Sequence, residues 1–231
     1  EEAYKKGAKA HFLCHPHNAV GIIFTKEELI KIAELAKKYN VIIMSDEIHG
    51  PLTLPDSKFV PFLNASPIAK EVGVCVTSAS KAWNLAGLKC AFIIIEGEKL
   101  KELAKKMPAA VSYRASLFGA IAAAKALNSV EWLDATLKTI DENRKYLKQE
   151  LDKKLPQVGY RIPDFSYLAW LDLAALNLGE NPAATLLAKE KVAFNHGITF
   201  GPASGQFIRF NFGTSKEIID EALDRIVRAS K

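Results

Sequence analysis

The sequence predicts an α/β domain built on a mostly parallel sheet, followed by a smaller α+β domain. Three observations carry that expectation. Apolar strand patterns and amphipathic helix patterns alternate through the first half. One helical pattern then runs from 131 to 155 and stops at Pro156; about 25 residues of helix span about 37 Å, more than one small domain needs. Beyond it, strands and helices follow in an order that fits α+β packing.

The elements read as follows. Residues 10–14 form a short apolar strand. Thr25 caps a helix, and Glu28 three positions later completes a capping box. That helix runs to about Tyr39, with Leu29, Ile32, Ala33 and Ala36 on one face, and Asn40 ends it. Residues 41–45 are continuously apolar, as in strands covered on both faces of a parallel sheet. Residues 72–77 and 90–95 repeat the pattern, and 117–127 form an alanine-rich helix suited to close packing. Strands near 167–173 and 207–212 and helices near 182–190 and from about 215 onward complete the chain. We place the domain boundary near Asn128, giving domains 1–128 and 129–231 with the long helix as linker.

The chain has 231 residues, 49% hydrophobic and 25% charged, the balance of an ordinary globular protein with a sizeable core. Its net charge is +5 and its pI about 9.0. Of the 31 basic residues 25 are lysines, mostly alternating with glutamates on helix-like stretches, which reads as solvated helix faces rather than a nucleic-acid patch. Cys14, Cys75 and Cys90 are scattered in apolar runs without C-x-x-C spacing; they read as buried free thiols of a cytoplasmic protein. No membrane span or signal peptide is expected. The chain opens without methionine on a charged segment, and we read it as cut from a longer protein.

Four clusters carry chemistry. His15-Pro16-His17-Asn18-Ala19-Val20-Gly21 follows a strand, where polar side chains face a ligand or simply form a turn. Ser45-Asp46-Glu47-Ile48-His49 follows a buried strand; such an acidic pair holds Mg²⁺ beside a nucleotide, pairs with a protonated ring nitrogen, or caps a turn. Ser78-Ala79-Ser80-Lys81 follows the third strand and continues as Ala82-Trp83-Asn84-Leu85-Ala86-Gly87-Leu88-Lys89. Desolvation disfavours a charged amine at such a strand end, and a neutral amine can form a Schiff base. Finally, Gln206–Gly213 alternates: Ile208, Phe210 and Phe212 on one face, Phe207, Arg209 and Asn211 on the other. An arginine in that setting needs a partner, either a structural carboxylate or a ligand's.

Taken together and in this order, these clusters resemble the class I/II aminotransferase superfamily of pyridoxal-5′-phosphate (PLP) enzymes, within it the cystathionine β-lyase-like C–S lyases. The near-continuous match runs from Cys14 to Ile95, with echoes at 131–134, 167–172 and Phe200-Gly201. The resemblance implies the C-terminal part of the PLP-dependent transferase fold: a three-layer αβα large domain with a mostly parallel sheet, plus a small α+β domain. It implies that Lys81 carries PLP and moves the proton at the substrate's α-carbon. Asp46 pairs with the ring nitrogen, Asn18 and His49 reach its phenolic oxygen, and Ile48 presses on the ring face. Ser78 and Lys89 hold the phosphate, and Arg209 clamps the substrate's α-carboxylate. Ala19 stands where the superfamily usually has proline, Lys89 where it usually has arginine, and His49 where most aminotransferases have tyrosine.

The implied reaction is β-elimination from cystathionine or related cysteine S-conjugates, giving pyruvate, ammonia and a thiol. Amino transfer to a 2-keto acid is the alternative, and a non-catalytic regulator or inactive fragment a remote one. The implied partners are an amino-acid substrate and a second copy in a homodimer, without nucleic acid, membrane or metal. A helicase reading of the acidic box lacks a G-x-x-x-x-G-K-[ST] loop. Zinc binding by His15, His17 and His49 lacks accompanying cysteines.

Overall fold

The computed structural model describes residues 1–231, apart from the side chain of Ser112. The chain folds as two units. Unit 1 comprises Glu1–His17, Ile23–Thr53 and Ser57–Ala135; unit 2 comprises Asn18–Ile22, Leu54–Asp56 and Thr136–Lys231. The division falls inside the long helix, between Ala135 and Thr136, C-terminal of the expected Asn128.

In chain order, unit 1 holds α1 (Glu2–Lys5), β1 (Ala10–Cys14), α2 (Lys26–Tyr39), β2 (Ile42–Asp46), α3 (Pro67–Val72), β3 (Gly73–Thr77), β4 (Phe92–Ile95), α4 (Glu98–Ala104), α5 (Ala110–Tyr113) and α6 (Leu117–Leu127). Helix α7 (Val130–Lys154) runs through the division. Unit 2 continues with β5 (Gly159–Tyr160), β6 (Leu168–Asp172), α8 (Pro182–Glu190), β7 (Asn195–His196), β8 (Phe207–Asn211) and α9 (Lys216–Ala229).

Helix α2 starts where the sequence says it should. The Thr25 hydroxyl accepts from the Glu28 N–H, and the Glu28 carboxylate accepts from the Thr25 N–H. It stops at Asn40, whose left-handed backbone (φ 53°) suits asparagine. Its Leu29, Ala33 and Ala36 face pack with Leu13, Ile43 and Cys75 of three strands and with Phe62 and Leu63 of a 3₁₀ turn, forming the core of unit 1.

The unit 1 sheet has the order β1-β2-β3-β4. β1, β2 and β3 pair in parallel, and β4 pairs antiparallel to β3, so the fourth strand departs from the parallel expectation. The segment joining β3 to β4 holds a tight turn and the 3₁₀ turn Ala86–Leu88 but no crossover helix, and the chain returns beside β3 in the opposite sense. β4 leaves Phe92, Ile93 and Ile94 exposed, and α6, which buries only its small residues Gly119, Ala123 and Ala126, leaves Leu117, Phe118 and Ile121 exposed. Cys75 is buried as expected, but Cys14 and Cys90 are only half-buried, because neither side chain lies at the centre of the core.

The sheet of unit 2 is antiparallel throughout, in the order β5-β6-β8-β7. Ala169 and Leu171 of β6 and Ile208 and Phe210 of β8 are its buried face. Ile219, Ala222, Leu223 and Ile226 form the buried stripe of α9 at helical spacing. Backbone bonds draw the two short outlying segments into this unit. Asp164 N–H donates to the Gly21 carbonyl at 2.8 Å, and Leu54 N–H to the Asp164 carbonyl at 3.1 Å. Gly21 has φ +77°, and a Cβ there would stand 2.8 Å from Pro163 Cβ, so only glycine fits.

A buried ion network fixes the same region. The Arg144 guanidinium donates to Asp141 (2.6 Å), the Pro163 carbonyl (2.8 Å) and Asp56 (2.9 Å). Burial alone would raise the Asp141 pKa. The Lys145 ammonium and the Arg144 guanidinium outweigh it and hold the carboxyl below its usual range.

Two expectations follow. Phe62→Ala, which empties the centre of the unit 1 core, should cost about 3–5 kcal/mol in urea unfolding. The depressed Asp141 carboxyl adds stability that is complete above the unfolded aspartate value of about 3.9 and is shed as pH falls through the lower folded value. Parent stability should therefore drop more steeply than that of Asp141→Asn as pH falls below about 4; equal slopes would show that Asp141 contributes nothing to the acid response.

Candidate functional site

The parallel register brings the unit 1 residues together. Cys14, Asp46 and Val76 occupy one row across β1, β2 and β3, at the carboxyl ends of the strands. The segments carrying Ile48 and His49, and Ser78 and Lys81, begin directly beyond that row. A cavity of about 490 Å³ bordered by Lys9, Asn40, Glu71 and Lys99 lies at the opposite, amino ends of these strands.

Asp46 is exposed, and its Oδ1 accepts the Ile48 N–H at 3.1 Å, closing a small turn. Glu47 goes the other way. It is 4% exposed, and its Oε1 accepts from the Ser45 hydroxyl (2.9 Å) and the Phe62 N–H (2.8 Å). Burial pushes its pKa up, against the pull of those donors. The acidic pair is thus split between solvent and core, and no group of three or more His, Cys, Asp or Glu is placed to hold a metal among the described residues. The inward turn of Glu47 was readable from strand alternation, which buries 45 and 47 together and leaves 46 out.

Ile48 is half-buried, and His49 is buried at the start of the 3₁₀ turn Gly50–Leu52. His15, from the first cluster, is a core residue. Its Nε2 bonds the Val60 carbonyl at 2.9 Å, its ring lies 4.8 Å from that of Phe59, and burial lowers its pKa.

The turn after β3 is held by its own backbone: Trp83 N–H donates to Ala79 and Leu85 N–H to Ser80. Ala79 and Ala82 are buried beside it, and Ala79 packs with Ala123 and Ala126 of α6. Between the two buried alanines, Lys81 is half-exposed, and its amine makes no hydrogen bond or ion pair among the described residues. Ser78 is buried. Its oxygen accepts the Ser80 N–H at 3.0 Å, and its hydroxyl donates to the Cys90 carbonyl at 2.5 Å. Lys89 is exposed with left-handed backbone (φ 54°). Gly119 lets α6 approach the 3₁₀ turn Ala86–Leu88, since a Cβ there would lie 2.2 Å from the Leu88 carbonyl oxygen.

Unit 2 brings together the remaining pair. Arg209 Nη1 donates to Asn18 Oδ1 at 3.0 Å, and Nη2 to Asn195 Oδ1 at 2.9 Å. The guanidinium carbon sits 4.7 Å from the Phe200 ring centroid. Both acceptors are neutral amides. Nε is buried with no hydrogen-bond partner, and no ion pair to Arg209 occurs among the described residues. Of the two partners foreseen for this arginine, the structural carboxylate is therefore not found. Asn195 was not foreseen; the signal was its two-residue strand, too short to read in sequence. The peptide bond Asn18–Ala19 is cis.

Comparison with known proteins gives the context. The chain is 35% identical over 229 residues to cystathionine beta-lyase of Corynebacterium glutamicum, covering 98% of this chain and 61% of that protein. It is 35% identical over 224 residues to cystathionine beta-lyase PatB of Bacillus subtilis, covering 94% of this chain and 57% of that protein. Among solved structures, the PLP-bound C-S lyase of Staphylococcus hominis superposes with a TM-score of 0.89 at 28% identity, covering 99% of this chain and 61% of that one. The chain thus spans about three fifths of the length of these relatives. The family described as aminotransferase class I and II matches residues 1–226, and the chain belongs to it.

Proposed function

We propose that this chain is the lysine-bearing part of a PLP-dependent C–S lyase, eliminating the sulfur substituent of cystathionine or related cysteine S-conjugates to give pyruvate, ammonia and a thiol. One observation carries the reading: Lys81 and Asp46 stand at the carboxyl ends of neighbouring parallel strands, the amine unengaged and the carboxylate open to solvent. The likeness to proteins named cystathionine beta-lyase supports elimination over amino transfer.

The residues suit PLP. An amine without an ion pair can hold the cofactor's aldehyde carbon, and an exposed carboxylate with one oxygen engaged can meet a protonated ring nitrogen. When bound, PLP supplies an electron sink for the bond broken at the substrate's α-carbon. Lys81 would hold the cofactor and then take the α-proton as general base. Asp46 would keep the ring nitrogen protonated. Asn18, whose Oδ1 accepts from Arg209, would approach the phenolic oxygen. Ile48 would press on the ring and His49 approach the same oxygen. Lys89 would meet the phosphate as a point charge, and Ser78 would join it by turning its hydroxyl away from Cys90. Arg209 would take the substrate's α-carboxylate. We read the working protein as a cytoplasmic homodimer. Among the described residues, no helix is long and apolar enough to cross a membrane.

The test is chemical. After incubation with PLP and borohydride reduction, peptide mass spectrometry should find the phosphopyridoxyl mass on Lys81 and lose that site in Lys81→Ala. Label scattered over surface lysines would refute a working lysine site in this chain. Pyruvate released from L-cystathionine without added 2-keto acid would support elimination; a strict requirement for 2-oxoglutarate would select amino transfer instead.

A further inference from the structure

The carboxylate clamp assigned to Arg209 raises a question of charge. A guanidinium half-buried in a protein usually meets a carboxylate, because a lone charge is costly to desolvate. Here the sheet register decides what it meets. Asn195 on β7 and Trp170 on β6 stand directly opposite Arg209 on either side of β8, and directly opposed residues share a face of the sheet. Trp170 stacks on Phe207 and meets Phe200 edge-on, and Phe200 lies beneath the guanidinium. The aromatic side therefore offers no anion. On the other side, the Asn195 Oδ1 fixes Nη2 at 2.9 Å with a neutral acceptor.

We propose that Asn195 is a positioning residue that orients the Arg209 guanidinium while leaving its charge uncompensated, so that the site selects a ligand bearing a carboxylate. Aspartate at this position would hold Nη2 equally well in geometry. It would also supply the anion itself and compete with the substrate. Asparagine gives the hydrogen bond without the charge, and Asn18 does the same at Nη1. Selectivity then rests on two neutral amides flanking one cation above an aromatic floor.

This inference rests on Arg209 being the carboxylate clamp, and the experiment separates the two. The probe is L-alanine, with L-alaninamide as the same molecule lacking the carboxylate. The readout is the Arg209 Nε–Hε resonance of the ¹⁵N-labelled chain. The parent resonance should move saturably with L-alanine and stay fixed with L-alaninamide. Because Asn195 is exposed, both Asn195→Asp and Asn195→Ala should leave the fold intact. Asn195→Asp should weaken L-alanine binding by about fivefold, a size set by a screened surface charge pair, and Asn195→Ala by about twofold. A purely structural acceptor predicts the reverse order, since aspartate preserves the bond and alanine deletes it. Asn195→Ala weaker than Asn195→Asp would thus overturn this proposal and leave the clamp standing. No response of the parent to L-alanine would overturn the clamp and this proposal together.

Discussion

The in-register parallel pairing of β1, β2 and β3 governs the chemistry of unit 1. Side chains alternate along a strand, so a slip of one residue would turn Asp46 into the core and Ser45 out to solvent. The ladder does not stop at the strand ends. His15 N–H donates to the Asp46 carbonyl and Glu47 N–H to the Val76 carbonyl, so the first residue of each following loop is already fixed. Lys81 then lies only a short turn beyond β3, and that turn is closed by bonds from Trp83 and Leu85. Placement of the amine depends on backbone register more than on any contact the amine itself makes.

Glu47 shows how this order is secured. A buried carboxyl is unfavourable unless its oxygens are engaged. Here Ser45 and the Phe62 backbone engage one oxygen. The Phe62 bond ties the end of β2 to the 3₁₀ turn Phe62–Asn64, whose Phe62 is fully buried in the hydrophobic core. The turn that presents Asp46, Ile48 and His49 is therefore anchored in the core one residue away from the solvent-facing carboxylate. Stability and site geometry share a side chain there, which explains why an acidic residue sits where an apolar one would be cheaper to bury.

Much of this was legible beforehand. Strong local signals read correctly: the Thr25–Glu28 capping box, the end of α2 at Asn40, the alternation around Arg209, and the bounds of α6 and α8. The PLP-enzyme likeness was legible because four separate clusters stand in a fixed order. What failed to read were consequences of pairing. The reversed sense of β4 is a property of its partner strand, since its own residues are as apolar as those of β2. The inclusion of 18–22 and 54–56 in unit 2 depends on bonds to Gly21, Asp164 and Asp56 across long sequence separations. Asn195 lies on a two-residue strand that carries no periodicity at all.

The two candidate reactions make the same demands on these residues at the start and differ only afterwards. On the proposed reading, both need the α-carboxylate held, the part proposed for Arg209, and the α-proton removed, the part proposed for Lys81. On that reading, amino transfer would ask Lys81 to give the proton back, whereas elimination would ask it to hold the proton while the β-substituent leaves. The Lys81 amine makes no ion pair among the described residues, and the Asp46 carboxylate is oriented by the Ile48 N–H. Among the described residues of unit 1, no ion pair to Lys81 favours one fate over the other on that reading. On the proposed reading, the choice falls to whatever faces the β-substituent. If the proposed roles hold, the residues common to both reactions would select an amino acid and remove its proton, and the surroundings of the side chain would select the product.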